Sequence, residues 1–184
     1  MQQIASSAQL RASIMRWALF TVPSCLGLGF LSGRAAGSAA DNPWFAMLDK
    51  PARYPPPIAF PVVWTALYVL MGVALALIAA ARGARGRGVA IGAFVVQLAL
   101  NLAWSPVFFV AHRLTLALGI IVALIVVLAI AIALVWRVRR MAAVLLLPYL
   151  AWVCFASFLN LQLLQLNPGA DGADGSGAVV RVQL

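Results

Sequence analysis

Apolar positions along this chain come in blocks rather than in alternation. Five stretches, at about residues 16–31, 58–81, 89–111, 114–136 and 141–166, run almost without charge. The last four each exceed the roughly 20 residues that a helix needs to cross a bilayer. Strands of a membrane barrel would be about half as long and would alternate apolar with polar. The pattern therefore predicts an all-α membrane protein, a five-transmembrane-helix bundle spanning 16–167, with an N-terminal extension over 1–15. Short gaps follow the second, third and fourth spans, so successive helices are expected to be antiparallel neighbours.

The first span is the weakest. Arg11 and Arg16 precede a short apolar core that ends in the small-residue run "SGRAAGSAAD", a layout shared with secretory signals, with a cut near Ala40. Trp17, Pro23 and Gly27 favour a retained, closely packed helix instead. The gap at 33–57 is long for a connection and carries Trp44, Phe45, Met47, Leu48 and Tyr54. A segment this apolar is expected to fold back over the helix ends as a lid. "RGARGRG", 82–88, reads as a solvated basic turn and lacks the Lys-Ser/Thr ending of a phosphate-binding loop. The tail after Asn167 starts with the helix-stopping Pro168 and is expected to be disordered over 168–184. No internal repeat of the inverted-transporter kind is evident.

Composition agrees with a membrane protein. The chain is 65% hydrophobic and 9% charged, with a mean hydropathy of +1.02, against about 25% charged in soluble domains. Its net charge of +9 does not indicate nucleic acid, because the basic residues lie in the gaps between spans. Eight arginines (11, 16, 82, 85, 87, 137, 139 and 140) fall on the side of the N-terminus, and all four acids fall on the other. Basic residues are retained in the cytoplasm during insertion, so the expected location is a bacterial cell membrane with the N-terminus cytoplasmic. Anionic membrane lipid is a secondary partner for the same arginines. Cys25 and Cys154 lie inside apolar spans and read as buried small hydrophobes.

The polar residues inside the spans carry the functional signal. Gln97, Asn101 and Ser105 recur at every fourth position, so they form one stripe on the third span, with Trp104 in the same turn. Lipid cannot satisfy them, and the stripe must face the interior, either bonding other helices or contacting a ligand. Pro106 removes the amide that would bond the Leu102 carbonyl and is expected to kink the helix there. Tyr149, Trp152, Ala156 and Asn160 form a similar face on the fifth span, and Trp64 and Tyr68 lie one turn apart on the second. That face reads equally as a pocket wall for a flat ligand or as a packed seam. Trp136, beside Arg137, reads as an interfacial anchor. No catalytic constellation and no metal cluster is present. His112, the single histidine, lacks a carboxylate in the spans to orient it.

Three motifs resemble those of the TspO/MBR family, the tryptophan-rich sensory proteins related to the mitochondrial translocator protein or peripheral benzodiazepine receptor. "WFAMLDKPARYPPPIAFPVVWTALY", 44–68, is similar to the family's W-[YF]-x-x-L-x-K-P…P-P…F-P-x-x-W-x-x-L-Y signature. "NLAWSPVFF" resembles N-x-x-W-[TS]-P-x-F-F, and "PYLAWVCFASFLN" resembles P-Y-x-x-W-x-x-[FY]-x-x-x-L-N. The resemblance covers roughly 44–167, in the right order on the right spans.

The resemblance implies a homodimeric five-helix bundle that needs no cofactor. Its pocket takes protoporphyrin IX-like tetrapyrroles or other flat hydrophobic molecules, and it functions as a receptor or sensor in tetrapyrrole metabolism or stress response. A tetrapyrrole or sterol-like transporter and a light-dependent porphyrin-degrading enzyme are the alternatives. By resemblance, Trp64 and Asn101 would bond a ligand carbonyl, Trp104 and Trp152 would form aromatic walls beside Ala156, and Trp44 and Pro51 would belong to the lid. Tyr68, Gln97 and Tyr149 join them from the helical-face pattern. Ala52, Arg53 and Ile58 replace aromatics usual in the family, which puts the photochemical activity in doubt, whereas Arg53 offers a cation either for a porphyrin propionate or for a lipid phosphate at the interface. The last helix lacks the Tyr and Lys/Arg of the cholesterol-recognition pattern, so no sterol site is expected there.

Overall fold

The computed structural model describes residues 7–38 and 42–172, and the regular structure among them is helical. The helices are α1 (Ser7–Ala35), α2 (Pro43–Met47), α3 (Ala59–Ala80), α4 (Arg87–Phe109), α5 (Leu114–Val138) and α6 (Arg140–Leu166), followed by a 3₁₀ turn at Pro168–Ala170. Five of the six are long and apolar enough to cross a membrane, and α2 is the short one. Helix α1 starts inside the stretch read as an N-terminal extension and runs through Pro23 well beyond 16–31. The candidate cleavage point near Ala40 and the tail beyond residue 172 lie outside the described residues.

Large apolar side chains such as Leu19, Phe20, Phe30, Val95, Val126 and Phe158 are exposed all round the bundle. Contiguous exposure on this scale suits acyl chains and not water. Inside, the core is built from Met71, Ala74, Ile78, Phe94, Leu124, Leu128, Leu146, Tyr149 and Val153. Of the two cysteines only Cys25 belongs to it, because Cys154 is exposed on the outer face of α6.

The order of helices around the bundle departs from the order in sequence. Helices α4, α5 and α6 are successive neighbours, as their short connections require, but α3 and α4 touch over only a small area. Helix α1 packs on α3 and also reaches α4, and α6 packs on the other side of α3. The expected antiparallel pairing of the second and third spans is therefore corrected: α1 takes that place. The reason is the close fit between α1 and α3. A side chain at Gly72 would bring its Cβ to 2.5 Å from Val22 Cα. The Thr21 hydroxyl donates to the Gly72 carbonyl at 2.7 Å. Small residues let the backbones meet.

Each end of the bundle is finished differently. At the basic end the Arg87 guanidinium donates to the Ile78 and Ala79 carbonyls at 3.2 and 2.9 Å. It thus caps α3, and Arg87 is not the solvated loop residue expected of the basic turn. At the other end the lid lies on the bundle. Trp44, Phe45 and Leu48 are buried against Phe108, Leu114, Ala117 and Leu163 from α4, α5 and α6. The first-loop segment does fold back over the helix ends.

Candidate functional site

The lid is assembled from local bonds. Asn42 caps α2, its Oδ1 accepting from the Phe45 amide at 2.9 Å. Lys50 Nζ turns back to the Phe45 and Leu48 carbonyls at 3.0 and 3.2 Å and lies 4.8 Å from the Phe45 ring centre. Asn167 then ties the lid to the end of α6: its Oδ1 accepts from the Asp49 amide at 2.8 Å and its Nδ2 donates to the Asp49 carbonyl at 2.9 Å. Of the lid residues expected at the site, Trp44 and Pro51 are buried and Arg53 is exposed. His112, in the left-handed region at φ 54°, stacks on Trp44 with ring centres 4.3 Å apart. It is part of the lid's seat.

From the lid, aromatic rings lead inward along two routes. Trp44 meets Phe108, and Phe108 stacks on Trp104 at 4.8 Å. Phe45 meets Tyr54, Tyr54 stacks on Phe60 at 5.4 Å, and Phe60 meets Trp152 edge-on. Trp64 stacks on Tyr68 at 5.5 Å and meets Tyr149 edge-on at 6.2 Å. Phe60 and Phe108 each stand one helical turn from a candidate tryptophan (Trp64 and Trp104), and that spacing could have found them in the sequence.

The polar residues divide into bonded and unbonded. The Tyr68 hydroxyl donates to Asn101 Oδ1 at 2.7 Å, joining α3 to α4. Trp104 Nε1 donates to Asn160 Oδ1 at 3.2 Å, joining α4 to α6, and Asn160 Nδ2 donates to the Leu114 carbonyl at 3.1 Å. In contrast, both amide atoms of Gln97, the Tyr149 hydroxyl and the Trp152 indole nitrogen are buried with no partner among the described residues. The predicted stripe thus holds at Gln97 and Asn101, which are buried, and fades at Ser105, which is partly exposed. Trp64, Tyr68, Trp104, Trp152 and Ala156 are all partly buried around the same core.

Ser32 was not legible as part of this region. Its hydroxyl, on α1, donates at 2.8 Å to the Leu102 carbonyl, the acceptor that Pro106 leaves without an amide. A groove of about 320 Å³ opens beside the lid, between Lys50, Pro51 and Ala52 and the α6 residues Gln162, Gln165 and Leu166. Trp136, the expected anchor, is exposed, with the Arg140 guanidinium 5.9 Å from its ring. Among the described residues no cluster of His, Cys, Asp or Glu could hold a metal ion.

Residues 21–166 match the TspO/MBR family. The chain is 38% identical over 154 residues to the "Tryptophan-rich protein TspO" of Chlorobaculum tepidum, covering 82% of this chain and 98% of that protein. It is 34% identical over 158 residues to the "Tryptophan-rich sensory protein" of Cereibacter sphaeroides, covering 83% and 94%. The "Translocator protein" of Sus scrofa is 39% identical over 156 residues, covering 83% and 90%. With five membrane-spanning helices, a folded-back lid and a match through nearly the whole bundle, this chain belongs to the TspO/MBR family as an integral, multi-pass membrane protein.

Proposed function

We propose that this protein is a membrane receptor or sensor that binds protoporphyrin IX-like tetrapyrroles inside the bundle, beneath the lid, and reports on tetrapyrrole metabolism or stress. The observation that carries this reading is the set of unpartnered buried groups at Gln97, Tyr149 and Trp152. Each such group costs roughly 1–3 kcal/mol when nothing bonds it. A bundle serving only as scaffold gains nothing by retaining them among rings from three helices. A flat ligand bearing carbonyl, carboxylate and pyrrole groups would satisfy them and stack on the indoles. Arg53 supplies a cation on the lid for a propionate. The relative named as a sensory protein supports the regulatory side of the reading. The relative named as a translocator, together with the groove beside the lid, supports a carrier reading; ligand flux into liposomes above the protein-free rate would favour that one.

Titrating protoporphyrin IX into the purified protein, read by tryptophan fluorescence and the Soret band, tests the site. Saturable binding is expected, weakened about fivefold by Trp104→Ala through lost stacking. Gln97→Leu is the sharper variant. It should stabilise the ligand-free protein by about 1–3 kcal/mol, because an orphaned amide is replaced by an apolar group of similar size, and weaken binding about tenfold. Unchanged affinity in both variants and in Asn101→Ala would remove the interior site.

A further inference from the structure

Arg16 and Arg82 are far apart in sequence and meet across one groove. With Ser13, Trp17 and Phe20 they line a cleft of about 190 Å³ at the basic end of the bundle, where α1 begins and α3 has just ended. Both arginines are exposed. Neither has an ion pair among the described residues. The two described acids, Asp49 and Asp171, sit at the lid end, bonded to Asn167 and to Thr115. Two cations facing one cleft without a counter-charge repel each other and attract any anion that fits between them.

The rest of the lining says what kind of anion. Trp17 is half-buried, and tryptophans collect where a membrane meets water. Phe20 and the adjacent Leu19 are 70% and 73% exposed, so the cleft opens onto a lipid-facing wall. A free anion uses none of that wall. A lipid places its charge between the guanidinium forks, which match phosphate oxygens in pairs, and lays its chain over Phe20.

We propose that this groove is a binding site for the phosphate of an anionic glycerophospholipid in the leaflet at the basic end. The site is independent of the tetrapyrrole reading, because no residue of it lies in the interior cluster.

Native mass spectrometry of the full chain, titrated with phosphatidylglycerol and with phosphatidylcholine, tests it. Phosphatidylglycerol adducts are expected to dominate. Arg16→Ala and Arg82→Ala should each weaken them about fivefold, and the double variant about 30-fold. Arg85→Ala removes the same charge from the same turn outside the cleft and should leave them unchanged. The double Arg16→Lys/Arg82→Lys variant keeps the charge and loses the forks; with helix content equal to the parent's by circular dichroism, it should still lose most of the preference. Three results overturn the site: equal adducts with both lipids, an equal loss in Arg85→Ala, or full retention in the double lysine variant. Displacement of the lipid by equimolar inorganic phosphate would likewise overturn it, since the cleft would then take a free anion.

Discussion

The Leu102 carbonyl shows how one proline organises two helices. Pro106 has no amide hydrogen to offer it, and a bare carbonyl in an apolar interior is costly. Ser32 supplies the donor from α1 at 2.8 Å. Replacing Ser32 by Ala should therefore destabilise the protein by about 0.6 kcal/mol, the average for hydrogen bonds between membrane helices. In a Pro106→Ala background the cost should vanish, because residue 106 then provides the missing amide and the serine becomes redundant. A double-mutant cycle on unfolding free energies in detergent measures this, and an equal cost in both backgrounds would show that Ser32 acts elsewhere. The acceptor was legible from the sequence, since a proline always orphans the carbonyl four residues before it. The donor was not, because Ser32 is 70 positions away and nothing local marks it. The same holds for Asn167, whose bonds to Asp49 span 118 positions.

The lid is an element whose stability comes from its ends and its rings. Helix α2 has five residues, too few for a helix to persist alone, and too few for periodicity to reveal it in a sequence. Its apolar content did reveal that the segment covers something. The capping of α2 by Asn42 and Lys50, the Asn167 clamp and the burial of Trp44, Phe45 and Leu48 hold it down. Tyr54 packs between Phe45 and Phe60, and burial pushes its phenol up from 10.0 to about 12. A folded-state value above the unfolded one means that Tyr54 favours the closed lid fully below pH 10 and that this contribution is lost as pH rises from 10 toward 12. Iodide quenching of Trp44 fluorescence should accordingly increase across that window. Tyr54→Phe should lose the part of the increase that belongs to the phenol, so identical pH profiles for the two proteins would refute the assignment. At the neighbouring turn Asp171 closes α5 from outside, accepting from the Thr115 amide at 3.2 Å and from its hydroxyl. The small cost of burying its carboxylate is outweighed by the Thr115 and Leu114 bonds and the Arg113 charge, which hold it below the usual range.

At the scale of the molecule, the number of spans and their apolar faces were plain in the sequence, whereas their arrangement around the bundle was not. Hydropathy records how much of each helix avoids water; it does not record which helix each face meets. Short connections placed α4, α5 and α6 side by side correctly, but the same rule mispaired α3 with α4, because it knew nothing of the close surface between α1 and α3. That surface is a stripe of Thr21, Cys25 and Gly29, buried at every fourth position of α1. A side chain at Gly29 would collide with the Tyr68 ring. Removing α1 would therefore uncover Tyr68 and Met71 of the core, orphan the Leu102 carbonyl again and open the gap between α3 and α4. This bears on the signal-like character of the N-terminal region. A helix that supplies one wall of the bundle and bonds two of its neighbours is expected to stay in the mature protein. The intact mass of protein extracted from membranes should thus include α1. A variant that begins after residue 38 should elute as aggregate and lose saturable protoporphyrin binding. If the mature mass instead corresponded to a cut near Ala40, or the shortened chain ran as a monodisperse species with native helicity, four helices would suffice and α1 would be a removable leader.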